Sequence, residues 1–246
     1  MSLMEPVQVI LPVYNEGPAL PALLENLRAV LSEVRHDIVV VDDGSTDGAI
    51  DALAAQAQAD IHIVRHLKNR GLGEAVRTGM GYAIAHDQDG LGIVVVMDAD
   101  NTQPPSLIPT MLEKIAQGHD VVIASRFVAG ASVQGVTLFR QMMSLGASAL
   151  FRLCVPVDNV RDYTCGYRAY RTAILKKAFT TYRGEFLTES GFTCMADILL
   201  KLHHLGARFM EVPLELHYEQ KRSVSKMKVP VTVARSLRLI AQHWRR

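Results

Sequence analysis

Asp98 and Asp100 stand one residue apart where the apolar run Ile93–Met97 ends. Residues i and i+2 leaving a strand project to the same side, so both carboxylates can address one point. Two such charges repel unless a cation lies between them, and a pair of oxygen donors suits Mg²⁺ or Mn²⁺ completed by water and phosphate. A second acidic stretch, Asp42-Asp43-Gly44-Ser45-Thr46-Asp47, ends the run Asp37–Val41. Ser45 or Asp47 suits the cap of a following helix and Gly44 a tight turn. Neither accounts for Asp43, whose carboxylate at the same sheet edge suits a base or ribose. Gly71-Leu72-Gly73, preceded by Lys68, Asn69 and Arg70, could let backbone approach a phosphate. It is not a dinucleotide fingerprint, since Val76 occupies the sixth position, and no Walker sequence occurs.

Other chemistries find little support. Three cysteines, Cys154, Cys165 and Cys194, without C-x-x-C spacing, argue against a disulfide framework or zinc ribbon and for a reduced, cytoplasmic setting. Nine histidines include no H-E-x-x-H, and no G-x-S-x-G marks a nucleophilic serine. The formal net charge of +1 argues against a general nucleic-acid binder. No signal-peptide pattern and no run of ~20 apolar residues is present, so a spanning helix is not expected.

The elements that must position these residues alternate along the first half. Val7–Val13, Asp37–Val41, Ile61–Val64, Ile93–Met97 and Val121–Ala124 are Val/Ile-rich runs of the kind that form buried parallel strands. Between them, Leu20, Leu23, Leu24, Leu27 and Leu31, and again Leu107, Met111, Leu112 and Ile115, recur at helical spacing. Strand and helix alternating in this way predict an α/β fold: a mostly parallel open sheet with helices on both faces. Ligands of such sheets sit beyond the carboxyl ends of the strands, where the acidic tips converge. Later come helices predicted at Leu138–Leu153 and Gly191–Leu205, a strand at Arg208–His217 and an amphipathic helix at Val231–Trp244 with Val233, Leu237, Ile240 and Trp244 on one side. No linker cuts the chain, which predicts one domain over 1–246, with regular strand–helix alternation in 1–125 and a less regular half in 126–246.

Together the strand-end motifs resemble family 2 glycosyltransferases of the GT-A (Rossmann-like) fold, and more closely their dolichol-phosphate mannose synthase-like branch. The residues that carry the resemblance are Pro12-Val13-Tyr14-Asn15-Glu16, Val41–Asp47, Asn69–Gly73, Met97–Asp100, Pro104-Pro105 and Ala124–Phe127. Downstream they are Asp162–Arg168, Glu211-Val212-Pro213 and Ser225-Lys226-Met227. The resemblance implies inverting, metal-dependent hexose transfer from a nucleotide-sugar, GDP-mannose or a UDP-hexose, to a polyprenyl phosphate. Carried over by position, Pro12, Tyr14, Asn15, Glu16 and Asp43 would hold the nucleoside, with Lys68, Gly71 and Asp98 on the donor side. Asp98 and Asp100 would hold Mg²⁺ or Mn²⁺. Relatives often place a Gln two residues beyond the second Asp as a further ligand; here that position is Thr102, followed by Gln103. Arg126, Arg140 and Lys226 would grip the acceptor phosphate, with Asp100, Arg126 and Asp197 the catalytic set. Asp197 and Glu189 are the acidic residues from which a hydroxyl acceptor would need a base. A phosphate monoester needs none, being ionised already near neutral pH.

Residues 1–220 carry a net −7, while the last 26 carry +8 with no acidic residue at all. A basic amphipathic helix of this kind can lie on an anionic membrane face, pack on the sheet or join a second copy in a homo-oligomer. Three further readings are weighed: transfer to a non-lipid hydroxyl, nucleotidyl transfer, and a non-catalytic nucleotide-sugar-binding module. Nucleotidyl transfer lacks its basic, Gly-rich loop, since no Lys or Arg precedes Arg28.

Overall fold

The computed structural model describes residues 5–56, 58–87, 89–189, 191–220 and 229–244. Lys226 lies outside them, and the side chain of Arg140 is likewise outside the described set. The five predicted strands form as β1 (Val7–Val13), β2 (His36–Asp42), β3 (Ile61–Arg65), β4 (Ile93–Val96) and β5 (Val121–Ser125). The helices α1 (Leu20–Val30), α2 (Ala49–Ala54), α3 (Leu72–His86) and α4 (Ile108–Ala116) connect them. All four residues of β4 are buried, as expected of a central strand covered on both faces. Helix α3 lies close on β1 because residue 79 is glycine: a Cβ there would stand 2.4 Å from Ile10 Cγ2.

Beyond β5 the chain forms β6 (Ser132–Gln134), α5 (Leu138–Cys154), β7 (Arg168–Arg171), α6 (Thr172–Tyr182), α7 (Cys194–His204), β8 (Phe209–Pro213), β9 (Glu215–His217) and α8 (Val229–Trp244). The main sheet runs β3-β2-β1-β4-β7-β5-β8, parallel except for β7, which is antiparallel to both its neighbours. The sequence does not announce β7, because Arg-Ala-Tyr-Arg looks polar. Yet Arg168 is fully buried, its guanidinium donating to the carbonyls of Met195 (2.7 Å) and Tyr163 (2.8 Å).

Two expectations need correction. The strand predicted over Arg208–His217 is two strands in two sheets. After Pro213 the backbone turns, Leu214 N–H donates to Ser125 O, and β9 pairs with β6. The predicted apolar face of the last helix also divides: Ile240 is buried with Leu239, Ser236 and His243, while Val233 and Leu237 face outward.

Candidate active site

The tips of β1 and β2 are stitched together. Asn15, in the left-handed region at φ 54°, receives a hydrogen bond on Oδ1 from Thr46 N–H (2.8 Å) and donates its own N–H to Ser45 Oγ (3.1 Å). Asp47 accepts from Gly17 N–H and from Ala49 N–H in the first turn of α2. Pro12 and Tyr14 are half-buried along this edge, and Glu16 is buried. Gly44 allows the turn to pass beneath the next one, since a Cβ would meet Lys68 C at 2.7 Å.

Asp43 is not an outward-facing ligand. Its two oxygens accept from Arg70 N–H and Gly71 N–H, each at 2.8 Å, and Oδ1 also lies 2.8 Å from His66 Nδ1. The other ring nitrogen of His66 bonds Thr78 Oγ1 at 2.9 Å, and both the His66 and Asp43 side chains are buried. Asp43 therefore ties the Lys68–Gly71 turn to the tip of β2, leaving the Lys68 side chain exposed. Replacing His66 with Ala removes a hydrogen bond to a buried carboxylate, a change of about 1.5–3 kcal/mol. The expected result is a melting temperature several degrees lower, read by thermal unfolding.

Asp98 and Asp100 follow β4 directly. Gln103 clamps the first: its Oε1 accepts Asp98 N–H and its Nε2 donates to Asp98 Oδ2, both at 2.9 Å. Thr102 clamps the second, donating to Asp100 Oδ1 through N–H (3.2 Å) and hydroxyl (2.7 Å). Neither Thr102 nor Gln103 thus stands as an unengaged metal ligand; each orients a carboxylate. Asn101, at φ 63°, makes the turn between them possible. Among the described residues no cluster of three His, Cys, Asp or Glu could hold a metal. The two carboxylates remain a fitting donor pair for Mg²⁺ or Mn²⁺, which commonly take one or two carboxylates and complete their shell from water and phosphates.

Arg126 lies at the tip of β5, held by Asp162. Nε and Nη2 donate to the two carboxylate oxygens at 2.7 Å each, and Nη2 also reaches Thr164 Oγ1 at 2.8 Å. Asp162 is fully buried and accepts further N–H groups from Arg126, Thr164 and Cys165. Burial opposes the charge on Arg126, but Asp162, and to a smaller degree Asp98, hold its pKa above the ordinary arginine value. Burial likewise opposes ionisation of Asp162, and Arg126 outweighs it, so that carboxyl titrates below its usual range. Glu211 supports the turn, accepting Arg161 N–H and Asp162 N–H. Burial pushes the Glu211 pKa up, and burial lifts the thiols of Cys165 and Cys194 to about 12, so neither is a thiolate nucleophile.

Asp197 departs from expectation. It is buried in α7, bonded to Lys201 Nζ at 2.7 Å, with His243 Nε2 of α8 at 3.8 Å. Lys201 also caps the carbonyls of Glu185 and Phe186. That carboxylate ties α7 to its surroundings and is not poised as a base. Glu189 is half-buried, its carbonyl lying where a Cβ on Gly73 would stand, 2.3 Å away.

Residues 8–179 match the sequence family described as Glycosyl transferase family 2. The chain belongs to glycosyl transferase family 2. This glycosyltransferase is 32% identical over 224 residues to a dolichol-phosphate mannosyltransferase of Pyrococcus furiosus, covering 90% of the chain but 59% of that longer protein. It is 33% identical over 223 residues to an undecaprenyl-phosphate mannosyltransferase of Micrococcus luteus, covering 90% of the chain and 87% of the relative. Among solved structures it is similar to glucosyl-3-phosphoglycerate synthase of Mycobacterium tuberculosis, determined with Mn²⁺, UDP-glucose and phosphoglyceric acid. The TM-score is 0.66 at 21% identity, over 96% of this chain and 78% of that one. That likeness establishes a GT-A fold for the glycosyltransferase.

Proposed function

We propose that this glycosyltransferase moves a hexose from a nucleoside-diphosphate sugar to a polyprenyl phosphate, with inversion at the anomeric carbon. The observation that carries the reading is the pair Asp98 and Asp100, each clamped by its own neighbour, at the same sheet edge as the buried Arg126–Asp162 pair. Mannosyltransferases acting on dolichol and undecaprenyl phosphates at 32–33% identity support the acceptor class. A divalent cation held by Asp98 and Asp100 would supply positive charge opposite the donor diphosphate.

The chain's own residues do the rest. The edge formed by Pro12, Tyr14, Asn15 and Glu16 with the Asp43-held turn receives the nucleoside, and Gly71 brings backbone towards the diphosphate. Arg126 faces the acceptor phosphate. A phosphate oxygen attacks the anomeric carbon, the bond from that carbon to the diphosphate oxygen breaks, and the nucleoside diphosphate leaves with the electron pair. No proton must be removed, which agrees with Asp197 being committed to Lys201. We place the reaction at a membrane face, where such an acceptor resides; no helix among the described residues is long and apolar enough to cross a membrane.

The test is transfer of labelled hexose from GDP-mannose, UDP-glucose and UDP-galactose to undecaprenyl phosphate in detergent with Mn²⁺, beside undecaprenol. Label in lipid only when the phosphate is present supports the reading. Equal labelling of the free alcohol would return the hydroxyl-acceptor alternative. Donor binding without transfer to either lipid would favour a binding module.

A further inference from the structure

Helix α5 carries an uncovered apolar face. Leu138, Met142, Leu145 and Leu153 are 77%, 72%, 54% and 82% exposed, and Ala149 between them is exposed too. At 100° per residue these five positions fall within about 80° of arc, one stripe along the helix. The opposite face is the ordinary one: Ser148 and Phe151 are buried, and the Phe151 ring stacks on Tyr163 at 5.3 Å. Helix α8 packs beside α5 and adds outward-facing Val233 and Leu237. Water-soluble surfaces seldom leave so many large apolar side chains contiguous without an occupant.

Charge identifies that occupant. The two helices contain no Asp or Glu over their 17 and 16 residues, but four arginines, Arg140, Arg152, Arg235 and Arg238. Arg152 borders the stripe and is exposed, as is Arg238 on α8. A second copy docking through the same patch would set arginines against arginines with no acid on either helix to receive them. An anionic bilayer surface accepts both features, apolar side chains entering among the acyl chains and arginines meeting lipid phosphates.

The stripe also begins beside the site. Strand β6, three residues before α5, pairs with β9, and His217 at the end of β9 donates its N–H to Thr102 O in the turn that holds Asp100. Asn101 of that turn donates to Gln220 just beyond.

We propose that the α5 stripe, extended by Val233 and Leu237, is the surface by which this protein docks on anionic membranes, setting the strand tips at the lipid headgroups. The proposal rests on the lipid-acceptor reading for its purpose, but its test needs no turnover. The full chain is floated with phosphatidylcholine vesicles containing 30% phosphatidylglycerol and with pure phosphatidylcholine. The comparison includes Met142→Glu/Leu145→Glu and, as a control, Leu91→Glu, which changes an exposed leucine elsewhere. Wild type and Leu91→Glu should float with the anionic vesicles, and the double variant should bind at least tenfold more weakly at unchanged melting temperature. Leu153→Glu, at the far end of the stripe, should weaken binding in the same direction.

Equal flotation of wild type and stripe variants would overturn the assignment, as would equal binding to uncharged vesicles. A lipid-free dimer on size exclusion that the double variant dissolves would show a second copy on the face instead. Retained flotation without sugar transfer would sink the acceptor reading alone.

Discussion

Asp100→Asn should lower turnover about a thousandfold while leaving the fold intact. The carboxylate is buried and its Oδ1 accepts both the N–H and the hydroxyl of Thr102, an acceptor role that an amide oxygen can keep. What the amide cannot keep is the negative charge. An uncharged residue weakens the hold on a divalent cation and with it the compensation of charge that develops on the departing diphosphate. A loss of ~4 kcal/mol from that stabilisation corresponds to about three powers of ten in rate. The measurement is steady-state kcat with Mn²⁺ titrated over both proteins, alongside their melting curves. Turnover within threefold of wild type, at the same Mn²⁺ requirement, would remove Asp100 from the metal assignment. Asp98→Asn should likewise keep its fold, because the asparagine's side-chain oxygen can accept from Gln103 Nε2 while Gln103 Oε1 still accepts the N–H of residue 98.

The acidic strand tips were legible because their signal is local: an apolar run ends, and carboxylates follow at once. The partners that decide what those carboxylates do were not, because contact is made through the sheet and not along the chain. Asp42 pairs with Arg65 across β2 and β3, so Asp43 meets His66 through register alone, 23 positions away. Arg126 meets Asp162 only once β7 has entered the sheet between β4 and β5 and drawn the Asp162 turn beneath the β5 tip. Asp197 is a different case, since its signal was present and local. An Asp four residues before a Lys on a helix is an ordinary intrahelical pair, and the structure contains that pair. The exposed stripe of α5 has the reverse character. Its spacing shows plainly in the sequence, but helical spacing alone reads as a core face, and only the packed structure shows which side of the helix is left uncovered.

Asp162→Asn is expected to be the most destabilising single change at the site. Five donors converge on that carboxylate: Arg126 Nε, Nη2 and N–H, and the N–H groups of Thr164 and Cys165. An asparagine must turn its own NH₂ towards some of them, setting donor against donor and leaving a largely buried guanidinium without its counter-charge. Breaking one partner of a buried ion pair costs about 3–5 kcal/mol, a large part of the 5–15 kcal/mol typical of a folded domain. The acid dependence distinguishes the lost charge from a packing defect. The folded-state pKa of Asp162 is depressed, so its contribution is fully present above the unfolded aspartate value of about 3.9 and disappears as pH falls through the lower folded value. Urea midpoints of wild type and variant should therefore stay a constant distance apart from pH 7 to 5 and converge below about pH 4. A gap that stays constant into that acid range would mean that shape, and not charge, binds Asp162 to Arg126. Arg126→Ala should destabilise by a similar amount, since it strands the same carboxylate, but it also removes the cation assigned to the acceptor. Its activity should then fall further than that of Asp162→Asn when both are assayed at a temperature where each is folded, a difference that separates the phosphate contact from the scaffold beneath it.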